Sequence, residues 1–298
     1  MIYSVAVAGS TQNTLICTQA LVKDQRFKLE LVITPKAKAR GRKQLFQSNP
    51  MESFAQEKNI TTFLVDKTTK SFNFDDILSK KFDFLLVVDF GYLLPVKLLS
   101  HAKVAAVNIH PSALPRWRGS APAQFVLLNG ETSSAVSLIK MDDQLDHGPI
   151  IAQYPFLVEP NWTQTEYYRF SFDLIAQHLA ADLVKLATNQ LRPTLQPDLS
   201  PTPLAKKLTK TDSFVTWSII TKAMEVANKE NQAQYLERAT RAFSPWPKLW
   251  TLLPTVKGEK RMKILKTHLI DKYLVLDQVQ IEGQIPAAWN QVRNVVKN

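Results

Sequence analysis

Glycine is scarce in this chain, at 8 of 298 residues, well under the roughly 7 % usual in globular proteins. Loops that cradle phosphate with repeated glycines are therefore disfavoured. Cysteine is scarcer still: Cys17 stands alone, which excludes an internal disulfide framework and a cluster of thiolate metal ligands. A reducing compartment fits best. No apolar run reaches the 18 or more residues of a membrane helix. The start, MIYSVAVAGS, has no basic segment and only a short apolar run, so no signal peptide is expected. These absences lead to the expectation of a soluble, cytoplasmic protein without a membrane partner.

What is present is a foldable composition, 45 % apolar and 21 % charged, in a length that suits two domains. Short apolar runs at 2–8, 29–33, 63–65, 84–88 and 104–109 read as buried strands. Amphipathic stretches at 14–22, 51–58 and 74–79 lie between them. This alternation predicts an α/β fold: an open, mostly parallel, Rossmann-like sheet with helices on its faces. A helix at 121–128 and strands at 135–141 and 150–158 follow. Thr163 and Glu166 form a capping-box start for a helix running to Ala187. Residues 191–204 hold four prolines and no glycine, which reads as a semi-rigid linker between a domain at 1–190 and another at 205–298. The second domain shows a helical stretch over 219–242 and then β-like runs at 250–253, 263–266 and 273–279.

The net charge is +11, and it is unevenly spread. Residues 1–190 carry 20 basic and 17 acidic side chains, residues 191–298 carry 17 and 9, so the smaller part holds +8 of the total. Its densest group is Lys257, Lys260, Arg261, Lys263 and Lys266. A second group, Lys36, Lys38, Arg40, Arg42 and Lys43, directly follows a predicted strand, at the sheet edge where open α/β folds bind ligands. Solvated surface accounts for either group alone; two such groups in an otherwise balanced chain point to nucleic acid or another polyanion.

Two segments could carry chemistry. The first strand–helix turn, Gly9-Ser10-Thr11, has neither the dinucleotide nor the P-loop glycine pattern, which disfavours an oxidoreductase of the Rossmann type. Asn108 and His110, by contrast, stand two apart at the end of an apolar strand, so both side chains share one face. Polar groups there are costly unless satisfied or used. Pro111 stops the strand and leaves the pair at its carboxyl end. Farther on, Asp142, Asp143 and Asp146 share a loop with His147. Metal binding is one use of such a loop, but the spacing fits no EF-hand or zinc pattern, and no metal is expected. The other use is one Asp orienting a His.

The segments NIHPSALPRWRGSAPAQ, LLNGE and KMDDQLDHGPI resemble the folate-dependent formyltransferase family, and DSFVTWS with YLERATRAFSPWP resembles the second-domain entry of the branch that formylates methionyl-tRNA. The resemblance covers most of the chain. It implies Asn108, His110 and Asp146 as a catalytic trio, with 10-formyltetrahydrofolate as formyl donor and the amino group of initiator methionyl-tRNA as acceptor. It implies folate contacts from Ser112, Ala113, Leu114 and Pro115 and from Leu93 and Leu94. It assigns tRNA contacts to Arg40, Arg42 and Lys43 and to Lys260, Arg261 and Lys263 of a small, β-rich, OB-like second domain. A monomer is expected. Two other uses fit the same residues: formylation of an amino sugar on a nucleotide, and a non-catalytic RNA-binding descendant. The chain departs from the family pattern in its first turn, at Gln144 (usually Gly) and at Ala113 (usually Leu). About a dozen residues near 221–232 look inserted, and the last domain looks short for a closed barrel.

Overall fold

A computed structural model describes residues 1–40, 45–66, 75–198, 202–225, 232–256 and 258–296. The chain opens with β1 (Tyr3–Ala8) and α1 (Gln12–Val22), whose N-cap Thr11 accepts from Thr14 N while the Thr14 hydroxyl takes Thr11 N. Next come β2 (Phe27–Pro35), the hairpin β3 (Lys38–Arg40) and β4 (Leu45–Gln47), and α2 (Pro50–Glu57). Asn49 caps α2 by accepting from Met51 N and Glu52 N, and Pro50 sits where no N–H is needed. Then follow β5 (Thr61–Val65), α3 (Asp75–Leu78), β6 (Phe84–Val87), α4 (Val96–Leu99), β7 (Ala105–His110), the two-residue β8 (Arg118–Gly119), α5 (Pro122–Leu128), β9 (Ser133–Lys140), β10 (Ile150–Leu157) and the long α6 (Gln164–Ala187). The remainder holds β11 (Leu204–Ala205), α7 (Trp217–Glu225), α8 (Gln232–Ala242), β12 (Trp250–Thr255), β13 (Gly258–Ile270), β14 (Tyr273–Ile281), β15 (Ala287–Ala288) and α9 (Trp289–Val292). No helix among the described residues is long and apolar enough to cross a membrane.

These elements form two compact units. One comprises Met1–Arg118, Ala135–Phe156 and Tyr168–Pro203; the other comprises Gly119–Ser134, Leu157–Tyr167 and Leu204–Asn298. The first unit is built on a seven-stranded sheet of order β10-β9-β7-β6-β1-β2-β5. The five strands from β7 to β5 are parallel, and β9 joins β7 antiparallel. Apolar side chains on both faces explain the unbroken hydrophobic runs of the central strands. One face packs Ala6, Leu31, Ile33, Leu85 and Ala106 with Ile77, Phe82 and Leu98. At the other end of β1, Tyr3, Phe27 and Phe84 group their rings at 5.7–6.3 Å between centroids. From β1 the chain winds outward to β2 and β5, and from β6 it winds the other way. The direction therefore reverses between β1 and β6, and ligands in such sheets bind at the carboxyl ends there.

The second unit carries the antiparallel sheet β12-β13-β14-β15. An isolated antiparallel bridge between Thr255 and Val296 sets Val296 beside the last residue of β12. Leu253, Met262, Ile264, Leu276 and Val279 point inward against Ile220, Leu236 and Phe243 of the helical layer. The predicted helix over 219–242 is two helices, α7 and α8, and residues 226–231 between them lie outside the described ones.

Candidate active site

Strand β7 delivers Asn108 and His110 to the same side, with Ile109 buried on the other. His110 is 4 % exposed. Its Nε2 lies 2.9 Å from the carbonyl oxygen of Trp117. A carbonyl only accepts, so Nε2 carries a hydrogen and the ring's other nitrogen, Nδ1, is left to exchange a proton. Nδ1 faces Oδ2 of Asp146 at 3.5 Å. The other oxygen, Oδ1, accepts from Nδ2 of Asn108 at 3.1 Å. Asp146 therefore bridges the two residues of the strand. An amide nitrogen has two hydrogens, so Asn108 has one beyond its bond to Asp146.

The turn of the chain explains how a residue so far along reaches this place. Strand β9 runs back along β7, pairing His110 with Ser137 and Val107 with Lys140. Met141 N then donates to Ala106 O, and the loop doubles back so that Lys140 N meets Pro149 O at 2.9 Å. Gly148 makes the reversal possible: a Cβ there would stand 1.8 Å from the Lys140 carbonyl oxygen. The other carboxylates of the loop differ in role. Asp142 takes Gln144 N at 2.9 Å and His147 Nδ1 at 2.8 Å, which holds the loop's shape, and Asp143 is exposed.

The turn after β7 is equally constrained. Ser112 is fully buried, and its hydroxyl donates to Arg116 O at 2.8 Å. Its carbonyl accepts from Ser137 Oγ at 2.7 Å. Leu114 is buried and Leu114–Pro115 is a cis peptide; Gln153 Nε2 reaches the Leu114 carbonyl at 3.2 Å. Ala113 is partly buried. Trp117 has φ of +61°, costly for so bulky a residue. Its N–H is tied to Pro203 O at 2.8 Å while its carbonyl holds His110. Leu93 is exposed, whereas Leu94 packs on the core beneath the sheet.

Three further side chains, Asp89, Gln196 and Arg118, make contacts around the site that the sequence does not mark. Asp89, directly after β6, accepts on Oδ2 from Thr11 Oγ1 at 2.9 Å and from Asn13 Nδ2 at 2.8 Å, across the gap from β1. Burial pushes its carboxyl above the ordinary range, only partly offset by those bonds and by nearby His110. A carboxylate ending an apolar run is the same signal that marks Asn108 and His110, and it could have been found that way. Gln196 and Arg118 carry no such signal. Cys17 is fully buried, and burial pushes its thiol up, as packing rather than nucleophilic use requires. Among the described residues no group of three or more His, Cys, Asp or Glu gathers as a metal site.

The basic residues fall in separate places. Arg42 and Lys43 lie outside the described residues, as do Lys257 and the side chain of Arg40. In the second unit, Arg261 and Lys263 share the outward face of β13, beside a concavity of about 270 Å³ that also takes in Gln280 and Glu282. The Arg261 guanidinium lies 4.1 Å from the centre of the Trp250 ring. Lys260 is on the opposite face, level with Leu253 and one pleat from Met262.

Residues 3–179 match the family model described as formyl transferase, and residues 219–274 match the one described as formyl transferase, C-terminal domain. The chain is 31 % identical, over 78 % of its length and 69 % of the relative's, to a methionyl-tRNA formyltransferase of Nitrosomonas eutropha. An N-formyltransferase from Helicobacter canadensis, solved with folinic acid and dTDP-3-aminofucose, superposes with a TM-score of 0.64 at 18 % identity, covering 94 % of this chain and 95 % of that one. A methionyl-tRNA formyltransferase from Clostridium thermocellum superposes with a TM-score of 0.61 at 13 % identity, covering 94 % and 99 %. At those identities the two superpositions speak to fold alone.

Proposed function

The chain belongs to the formyl transferase family, and from that membership we propose that it moves a formyl group from 10-formyltetrahydrofolate to the amino group of initiator methionyl-tRNA. The observation that carries this is the Asn108–Asp146–His110 cluster at the carboxyl end of β7. The reaction serves the start of translation in the cytoplasm, with the chain acting as a monomer.

The chemistry asks for three things, and the cluster can supply each. The amine attacks the formyl carbon, a carbon–nitrogen bond forms, and negative charge collects on the formyl oxygen. Asn108 donates its second amide hydrogen to that oxygen. As the bond to N10 of the folate breaks, the amine loses a proton and N10 gains one. His110 Nδ1 is the group that carries it, because Nε2 is committed to Trp117. Asp146 holds both side chains in register and offsets positive charge on the ring while the proton is in transit. No covalent enzyme intermediate is needed, which suits a chain whose only cysteine is packed away.

Folate contacts are assigned to the 112–115 turn and to Leu93 and Leu94. Within that turn the side chain of Ser112 is already bonded to Arg116 O, so its part is to shape the turn, and the backbone and Ala113 are left to meet the ligand. Contacts to tRNA phosphate are assigned to Arg40, Arg42 and Lys43 and to Lys260, Arg261 and Lys263. These supply affinity rather than base choice.

The test is a transfer assay with 10-formyltetrahydrofolate and three acceptors: initiator methionyl-tRNA, elongator methionyl-tRNA and a nucleotide-linked amino sugar. Transfer to the initiator tRNA is expected, together with a loss of about 10²–10³-fold in kcat for Asn108→Ala and about 10²–10⁴-fold for His110→Ala. Transfer to the amino sugar alone would assign the chain to the sugar branch. Full activity in both variants would remove the cluster from the chemistry.

A further inference from the structure

Asp146 bridges Asn108 and His110, yet it stands in the left-handed backbone region at φ +51°, in a loop with no secondary structure of its own. The direction of its carboxylate therefore depends on what grips its backbone. The grip comes from fifty residues away. Gln196 Nε2 donates to the carbonyl of Asp146 at 2.9 Å and to the carbonyl of Gly148 at 2.9 Å. Gln196 Oε1 accepts from Arg118 Nε at 3.0 Å and from a second guanidinium nitrogen at 2.7 Å. The orientation of the amide is dictated by its neighbours, since carbonyls only accept and a guanidinium only donates.

Both ends of this clamp are themselves anchored. Thr194 and Ile150 exchange two backbone hydrogen bonds of 2.8 Å, which fixes the segment bearing Gln196 beside the start of β10. Arg118 follows Trp117, whose carbonyl holds Nε2 of His110. One chain of contacts thus runs from His110 through Trp117, Arg118 and Gln196 to Asp146, and closes on His110 again. The geometry points to Gln196 and Arg118 as positioning residues that set the Asp146 carboxylate against Asn108 and His110. The inference rests on the proposed formyl transfer. Misplacing a reacting group by about 1 Å can cost a factor of roughly 10² in rate, so the clamp governs kcat rather than substrate binding.

The test is Gln196→Glu. This variant keeps the size of the side chain and an acceptor for Arg118, but turns an oxygen toward two carbonyl oxygens. The clamp then opens, and kcat is expected to fall about ten- to a hundredfold with KM for folate and tRNA within about twofold. In an Asp146→Asn background the same change is expected to add less than about twofold. Hydrogen exchange of the amides at 145–148 is expected to quicken. If Gln196 merely tied down the segment that follows α6, the new ion pair with Arg118 would leave kcat unchanged, and that result overturns the inference, as does unchanged exchange. Should Gln196→Glu not fold, Arg118→Lys gives the same direction with a smaller loss. Absence of any transfer by the wild-type protein would sink the functional proposal, while the exchange measurement would still decide the clamp.

Discussion

At the scale of single residues, Asp89 shows how a buried carboxylate leaves a measurable trace. Its carboxyl is pushed up mainly by desolvation, with Asn13 and Thr11 pulling the other way. A carboxyl raised in the folded state binds protons more tightly there than in the unfolded chain. Stability conferred this way is present at low pH and falls as pH rises from the ordinary carboxyl value, about 4, through the raised one. Asp89→Asn keeps an oxygen to accept from Thr11 and Asn13 without the buried charge. Its Tm is expected to exceed that of the wild type at pH 7, with the gap closing below about pH 4; equal values at pH 7 would contradict this. Asn108 and His110 were legible in the sequence because two polar residues at strand spacing interrupt an apolar run. Asp89 sends the same signal. Gln196 sends none, since a lone amide among prolines looks like any linker residue until the fold carries it to Asp146.

At the scale of elements, the connection from β9 to β10 turns on one close approach. The Cβ of Gly148→Ala would press into the Lys140 carbonyl, a backbone atom that cannot swing aside. The variant is expected to lose about 1–3 kcal/mol of stability, as overpacking does, and at least tenfold in transfer rate as Asp146 shifts; denaturant titration and the transfer assay check both. Helix starts were readable because their signals are local: the Thr163 hydroxyl and, at 2.7 Å, its backbone N–H both donate to the Glu166 carboxylate, and these bonds, the hydroxyl's first, hold that carboxyl below its usual range. Lengths were less readable. The run at 263–266 is the middle of a thirteen-residue strand, β13, in which Arg261 and Lys263 face outward while Met262 and Ile264 face in, so charged residues mask the apolar pattern on either side of the run. The hairpin β3–β4 was missed, since three-residue strands carry too little pattern to be seen.

At the scale of the whole molecule, charge and chemistry are unevenly shared: residues 191–298 carry 17 basic against 9 acidic side chains, while the cluster of Asn108, His110 and Asp146 belongs to the unit built on the seven-stranded sheet. Binding of a tRNA through phosphate contacts releases counterions, so KM for methionyl-tRNA is expected to rise roughly ten- to a hundredfold between about 50 and 200 mM salt, with KM for the folate donor nearly flat. Lys263→Ala is expected to lower the salt slope by about one; a flat response would speak against an electrostatic tRNA site. Each compact unit gathers three stretches of chain, so residues 119–134 and 157–167 group with the C-terminal strands, and residues 191–198 with the seven-stranded sheet. Alternation of buried runs and helices, the strand-end pair Asn108 and His110, and the location of positive charge all follow from local order along the chain, because they depend on periods of two and three to four residues. The bridging place of Asp146, the clamp from Gln196 and the carboxylate of Asp89 between two strands depend on contacts 38 to 78 residues apart. Such contacts exist only once the sheet has assembled and its burial has repaid the entropy of closing those loops.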